Sequence, residues 1–363
     1  MKKRYEINMT KGPLLPELLQ FILPLMLSSM LQIAFNAADL IVVGRFGRPH
    51  SMAAVGANGA MINLIINVLM GLATGGGVLC ARYYGANQTD KLHRTVSTTL
   101  ITGVIGGVIT GALGLALTVP LLRLVGSPDE VLPLATVYLR IYFLGLPVMA
   151  LYNFSAAALR ALGNTRQPLI YLAIAGVLNV IMNLFFVIVV GIDVAGVAIA
   201  TVLSQCVSGF LTVRCLLRSQ ELHVKELHFS GHIFKKMMNI GIPAGIQGSL
   251  FSISNFIIQA SVNSFGAAVI AGNSACVSVE GLLYCPSDAV MQAATTAVSQ
   301  NVGAQEYERS RSVARWSMVL VVVLTGILTV PAVVFRRQVL GLYTSSEAEL
   351  EAYADKLWLT GIS

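Results

Sequence analysis

The chain has 363 residues, of which 55% are hydrophobic and 11% charged, and its mean hydropathy is +0.75. That excludes an ordinary water-soluble domain, where about 25% of residues are charged. The net charge of +7 is not evidence of a nucleic-acid partner, because no basic face interleaved with aromatics accompanies it.

Apolar runs long enough to cross a hydrocarbon core of about 30 Å predict nine spans, at 14–43, 52–79, 96–119, 133–158, 168–190, 195–216, 233–264, 270–299 and 313–334. A tenth helix is predicted to start at Ala352 in "EAYADKLWLTGIS", where the sequence stops at Ser363. The expected fold class is an all-α polytopic membrane protein. The first run is too long for a signal peptide and has no small-residue cleavage site before a polar mature domain, so it reads as a retained span. With the N-terminus inside, 17 basic residues fall on inner segments and 7 on outer ones. This charge balance predicts a cytoplasmic N-terminus, and the multi-pass chain is expected in the plasma membrane.

Within span one, "LQIAFNAADLIVVGRFG" at 31–47 carries a single acid, Asp39. An ionised carboxylate at bilayer depth costs about 2.5–3.5 kcal/mol on insertion scales, so it persists where it faces a cavity or partners. Gln32, Asn36 and Asp39 follow the i, i+4, i+7 spacing and form one polar stripe. Pro16 and Pro24 permit this helix to bend. In span two, "GLATGGG" at 71–77 predicts either close helix approach or local unwinding. It is not a phosphate loop, because no Lys-Ser/Thr follows.

Span five places Asn179 and Asn183 one turn apart, and span six places Thr201, Gln205 and Ser208 on one face. Gln205 and Ser208 read as interhelical hydrogen-bonding residues. The polar loop from Arg218 to Lys236, with His223, His228 and His232, reads as a solvated linker; no metal site is predicted there or among the five cysteines, which lack CxxC and Cys/His spacing. Span seven carries Ser252, Asn255 and Gln259, and span eight carries Glu280, Tyr284 and Asp288 at i, i+4, i+8 with Gln292 one turn further. Gln32, Asn36, Asn255, Gln259, Glu280, Tyr284 and Asp288 are candidates for a cavity wall.

The chain also repeats itself. Pro24 aligns with Pro243, Asn36 with Asn255 and Phe46-Gly47 with Phe265-Gly266 at a separation of 219, and Gly85-Ala86 aligns with Gly303-Ala304 at 218. Six spans lie between equivalent points, an even number, so the two copies run the same way through the bilayer as a parallel repeat. The predicted organisation is an N-terminal six-helix bundle at 1–218, a cytoplasmic linker at 219–236 and a second, incomplete bundle at 237–363. By this repeat the second copy would continue to about residue 450.

"LPLMLSSMLQIAFNAADLIVVGRFG", "GANQTDK", "LRALGNTRQP", "GVLNVIMNLFFVIVVGIDVAGVAIATVLSQ" and "VSQNVGAQEYERSRSVAR" together resemble the multidrug and toxic compound extrusion (MATE) family over essentially the whole chain. The resemblance implies two six-helix bundles facing across a central cleft, and export of amphipathic or cationic small molecules driven by inward flow of protons or sodium ions. It implies no other cofactor and no catalytic residue. By the resemblance, the cation or proton site of the N-terminal bundle maps onto Asp39, Asn179, Asn183 and Thr201. The family's second acid is Asn183 here. One carboxylate in place of two weakens the case for sodium, since a hard cation favours charged oxygens, and favours protons. In the second copy the position matching Asp39 is Ile258, so the halves do not share one titrating mechanism.

Two alternatives stand beside this reading. A flippase of lipid-linked sugars from the same wider superfamily would want cavity Arg or Lys residues for pyrophosphate, and no basic residue sits deep in a predicted span. A non-transporting scaffold would have no reason to keep three acids in the bilayer. An intramembrane hydrolase is excluded by motif: there is no GxGD or HExxH, and no GxSxG with a His partner in the spans. The expected partners are small molecules and lipid, with the chain acting as a monomer.

Overall fold

The structure, a computed structural model, describes residues 7–47, 51–124, 129–219, 228–263 and 267–335, and the side chain of Gln259 is not among the described groups. The predicted start of helix ten, the repeat partners Phe265 and Gly266, and His223 in the linker lie outside the described residues.

The described residues are built from α1 (Leu14–Phe46), α2 (Ser51–Gly85), α3 (Thr89–Leu124), α4 (Leu132–Ala161), α5 (Arg166–Leu184), α6 (Asp193–Arg218), α7 (Gly231–Asn263), α8 (Ala267–Gly303) and α9 (Tyr307–Val334), with no strand among them. A helix satisfies every backbone group internally, which is what an apolar run needs in lipid. Seven of the helices are long and apolar enough to cross a membrane. Several extend past their apolar runs: α3 begins at Thr89 and α9 at Tyr307, each about a turn or two before the predicted span, because polar first turns can lie outside the hydrocarbon. The predicted span 168–190 is also not uniform, since α5 gives way to a π-helical turn at Phe185–Val190 that ends at Gly191 with φ 75°.

α2 is central and packs against α3 and α4 on one side and α7 and α8 on the other. Its glycine run is continuous helix, not an unwound segment. The glycines serve close approach: a Cβ at Gly71 would strike the Gly245 backbone, and one at Gly75 would lie 2.9 Å from Gly241 N and 3.0 Å from its Cα. Asn67 Nδ2 donates to Ser252 Oγ at 2.7 Å along the same seam.

The turns after α2 and α8 are hydrogen-bonded alike. Ala86, Asn87 and Gln88 donate to Arg82, Tyr84 and Tyr83, while Ala304, Gln305 and Glu306 donate to Gln300, Val302 and Asn301. Asn87 and Gln305 both adopt positive φ, 52° and 62°. The ends also meet reciprocally: a Cβ at Gly85 would strike Gln300 O, and one at Gly303 would strike Arg82 O.

α1 divides its packing between two sides. Leu18, Phe21, Ile22 and Leu25 bury against Ala289, Ala293, Val313 and their neighbours on α8 and α9. Val42 and Val43, near its other end, join a core with α2, α4 and α6. At that far end Ser51 Oγ donates to Asp193 Oδ2 at 2.5 Å, tying the start of α2 to the start of α6.

Candidate functional site

Asp39 lies between α5 and α6, 8% exposed, and is the hub of a side-chain network. Asn183 Nδ2 donates to Asp39 Oδ1 at 2.5 Å and to Asn179 Oδ1 at 3.2 Å. Asn179 Nδ2 donates to Thr201 Oγ1 at 3.3 Å. Thr201 Oγ1 stands 3.4 Å from Asp39 Oδ2 and 2.9 Å from Val197 O. The structure therefore brings Asp39, Asn179, Asn183 and Thr201, residues from three helices, into one buried cluster.

Backbone approach makes the cluster possible. Gly176 sits one turn before Asn179 on α5, and a Cβ there would overlap the ring of Phe35, one turn before Asp39 on α1. With any larger residue there the Phe35 ring would have to swing aside for α5 to keep its approach to α1. On α4, Tyr138 is buried and near enough to Asp39 for the carboxylate charge to act on its hydroxyl. Sequence periodicity gave no sign of Gly176 or Tyr138 as neighbours of Asp39. The only available signal was their position on helices already carrying, or flanking, the polar stripes.

Chemically, the cluster suits a carboxyl that changes its protonation state. The Thr201 hydroxyl has one proton and two acceptors in range, Asp39 Oδ2 and Val197 O. Turned to Asp39 it supports the carboxylate, together with the amide of Asn183. Turned to Val197 it satisfies the helix carbonyl and leaves its oxygen to accept from a protonated Asp39. Asn183 Oδ1 is buried and has no hydrogen-bond partner among the described residues. A buried acceptor left so costs about 1–3 kcal/mol, which a proton or cation delivered to the cluster would relieve.

The other predicted cavity residues are more dispersed. Gln32 and Asn36 are exposed, although they share the face of α1 that carries Asp39. Asn255 is exposed on α7, and Gln259 lies outside the described side chains. Glu280 and Asp288 are half-buried on α8, and Asp288 accepts from Gln292 Nε2 at 2.8 Å. Tyr284 is 60% exposed, with its ring 6.0 Å from that of Phe251 on α7. None of these residues joins the Asp39 cluster through a described hydrogen bond. On α6, the Ser208 hydroxyl has the Gln205 carbonyl at 3.0 Å and Gln205 Oε1 at 3.2 Å in range, so the described bonds between these two residues stay within one helix.

Comparison with known proteins gives a consistent answer. A model of the MatE family matches residues 24–185 and 243–362. The two matches begin at the two prolines aligned above. The probable multidrug resistance protein YoeA of Bacillus subtilis is 28% identical over 343 residues, covering 91% of this chain and 73% of that protein. An FAD transporter of Shewanella oneidensis is 23% identical over 97% of this chain and 78% of its own length. Among solved structures, an outward-facing multidrug resistance MATE transporter of the MOP superfamily superposes with a TM-score of 0.88 at 22% identity, covering 98% of this chain and 80% of that one. A MATE structure in a bent conformation gives 0.86 at 22% identity, over 97% and 79%. At this identity the structural likeness establishes the fold.

Proposed function

This chain belongs to the MatE family, and from that premise we propose that it is a secondary active antiporter that exports amphipathic or cationic small molecules in exchange for protons. Relatives named for multidrug resistance support the substrate class. The observation that carries the coupling is the buried network on Asp39, in which one carboxylate has hydrogen-bond partners for both of its charge states. Sodium fits less well. The cluster offers one charged oxygen donor, and the Asn183 amide occupies the place of a second acid, whereas hard cations favour charged oxygens.

The protein is read as lying in the plasma membrane with its N-terminus in the cytoplasm, on the 17 to 7 distribution of basic residues, and as working as a monomer. No bond-breaking step is involved. Asp39 would take a proton from the outer side, release it inward, and allow the substrate-loaded cavity to face outward only in the matching protonation state. Cargo would meet the walls carrying Gln32, Asn36, Asn255, Gln259, Glu280, Tyr284 and Asp288.

Reconstituted protein tested with imposed gradients separates the ions. Efflux of a cationic dye should follow a pH gradient and continue at full rate without sodium. Strict dependence on a sodium gradient, with none on pH, would overturn proton coupling. Asn183→Asp is expected to add sodium sensitivity to the same assay, because it places a second carboxylate at the position whose amide now donates to Asp39. Unchanged sodium response in a folded Asn183→Asp protein would show that the missing acid does not set ion choice.

A further inference from the structure

The segment just before α1 is held in a way that a helix approach alone does not require. Met9 is fully buried, and both of its backbone groups are taken by side chains almost three hundred residues away. Its N–H donates to Gln300 Oε1 at 3.1 Å, and its carbonyl accepts from Asn301 Nδ2 at 3.0 Å and Arg309 Nε at 2.9 Å. Arg309 also donates to the Lys11 and Gly12 carbonyls at 3.1 and 2.9 Å and pairs with Glu17 at 3.1 Å. Gln300, itself 0% exposed, turns its amide the other way and donates to Ala161 O at the end of α4 at 2.8 Å. On the opposite flank Ile7 N donates to Gly163 O at 3.1 Å, in the turn between α4 and α5.

Residues 7–12 are thus threaded between the α4–α5 turn and the α8–α9 turn. Gln300 bonds to both the threaded segment and α4. Directly beside it the ends of α2 and α8 meet backbone to backbone at Gly85 and Gly303. Apart from the Ile7–Gly163 bond, which fixes the segment to the α4–α5 turn, these contacts join the α1–α6 side to the α8–α9 side, and all lie at the end of the molecule where α1 begins. Buried polar groups bonded this way exchange their partners only for water, so parting the two sides here means hydrating the whole set at once.

We propose that the Met9 segment, clamped by Gln300, Asn301 and Arg309, is the latch that holds this end of the transporter shut, and that its release opens the path to that side. The proposal rests on the transport reading above and adds the element that must let go. α1 carries both ends of the coupling: the latch precedes its first turn, and Asp39 lies 25 residues beyond Leu14, about 38 Å along the helix. Because the first half of α1 packs on α8 and its second half on α5, with α2 and α6 beside it, a small tilt of α1 at Asp39 is felt at Met9.

The test reads distance, not export. Spin labels at Gln88 and Glu306, both exposed and in the α2–α3 and α8–α9 turns, report the separation of the two sides by pulsed electron resonance. With Gln300→Ala and Asn301→Ala combined, the closed state loses hydrogen bonds to Met9 and Ala161, and the long-distance fraction should rise roughly tenfold over the labelled protein without those changes. A distribution unchanged by the two substitutions, in protein that elutes and melts like wild type, overturns the latch whether or not anything is exported. If the double variant does not fold, a Met9→Cys/Gln300→Cys pair serves: oxidation should lock the short distance and abolish long ones, and reduction should restore them. Persistence of the long fraction in fully cross-linked protein would also overturn the proposal. Dye efflux from the same samples tests the transport reading separately, since absence of efflux in reduced, unlocked protein is a failure of that reading and not of the latch.

Discussion

Asp39→Asn is expected to leave the protein folded and inserted, and to reduce gradient-driven efflux to the level of liposomes without protein. The network explains why the fold tolerates the change. The oxygen of an asparagine at 39 can still accept from Asn183, and its amide can donate to Thr201 Oγ1, whose own proton then turns to Val197 O. No buried group loses its partner, and the cost of holding a carboxylate at bilayer depth, about 2.5–3.5 kcal/mol on insertion scales, is removed. Melting of the variant should therefore match or slightly exceed wild type. Function fails for a different reason: an amide neither takes up nor releases a proton in the physiological range, so the outward and inward states are no longer tied to the gradient. Exchange of dye down its own gradient can survive in this variant. Wild-type accumulation against a dye gradient by Asp39→Asn would remove Asp39 from the coupling mechanism.

Several features of this cluster were legible in the sequence. The 3.6-residue spacing set Asn179 and Asn183 on one face of α5 and Asp39 on a face of α1, and the apolar runs located the helices that carry them. Depth was not legible. Gln32, Asn36 and Asp39 share a stripe, yet only Asp39 is buried, because periodicity fixes a direction around the helix axis and says nothing of how far a neighbour extends along it. The π-helical turn at Phe185–Val190 was equally hidden, since "FFVIVV" is as apolar as the helix before it. The clamp on Met9 was hidden in another way: Gln300, Asn301 and Arg309 stand in a stretch that carries the family resemblance, but backbone carbonyls carry no residue identity, so nothing pointed from these side chains to Met9.

The glycines of α2 show where a sequence pattern with two readings was decided by packing. "GLATGGG" allowed either unwinding or close approach, and α2 remains helical while Gly71 and Gly75 face α7, Gly76 lies against Thr99 of α3 and Gly77 against Ala157 of α4. This decides the size of a substitution effect. A Cβ at Gly71 would overlap Gly245 N and Cα, which are backbone atoms with no rotamer to adjust, so the two helices must separate along the whole seam. Overpacking of this kind costs about 1–3 kcal/mol or more, and separation would also stretch the bond from Asn67 to Ser252. Gly326 on α9 is a matched control, because a Cβ there meets nothing within 4 Å. Its change to alanine removes only the conformational cost of glycine in a helix, a gain of up to about 1 kcal/mol. Gly71→Ala is therefore expected to lower the thermal unfolding midpoint in detergent by several degrees and to weaken efflux, while Gly326→Ala leaves efflux unchanged and the midpoint equal or higher. Equal midpoints for the two variants would mean that α2 and α7 do not approach as closely as the glycine contacts describe, and that their seam can yield without loss.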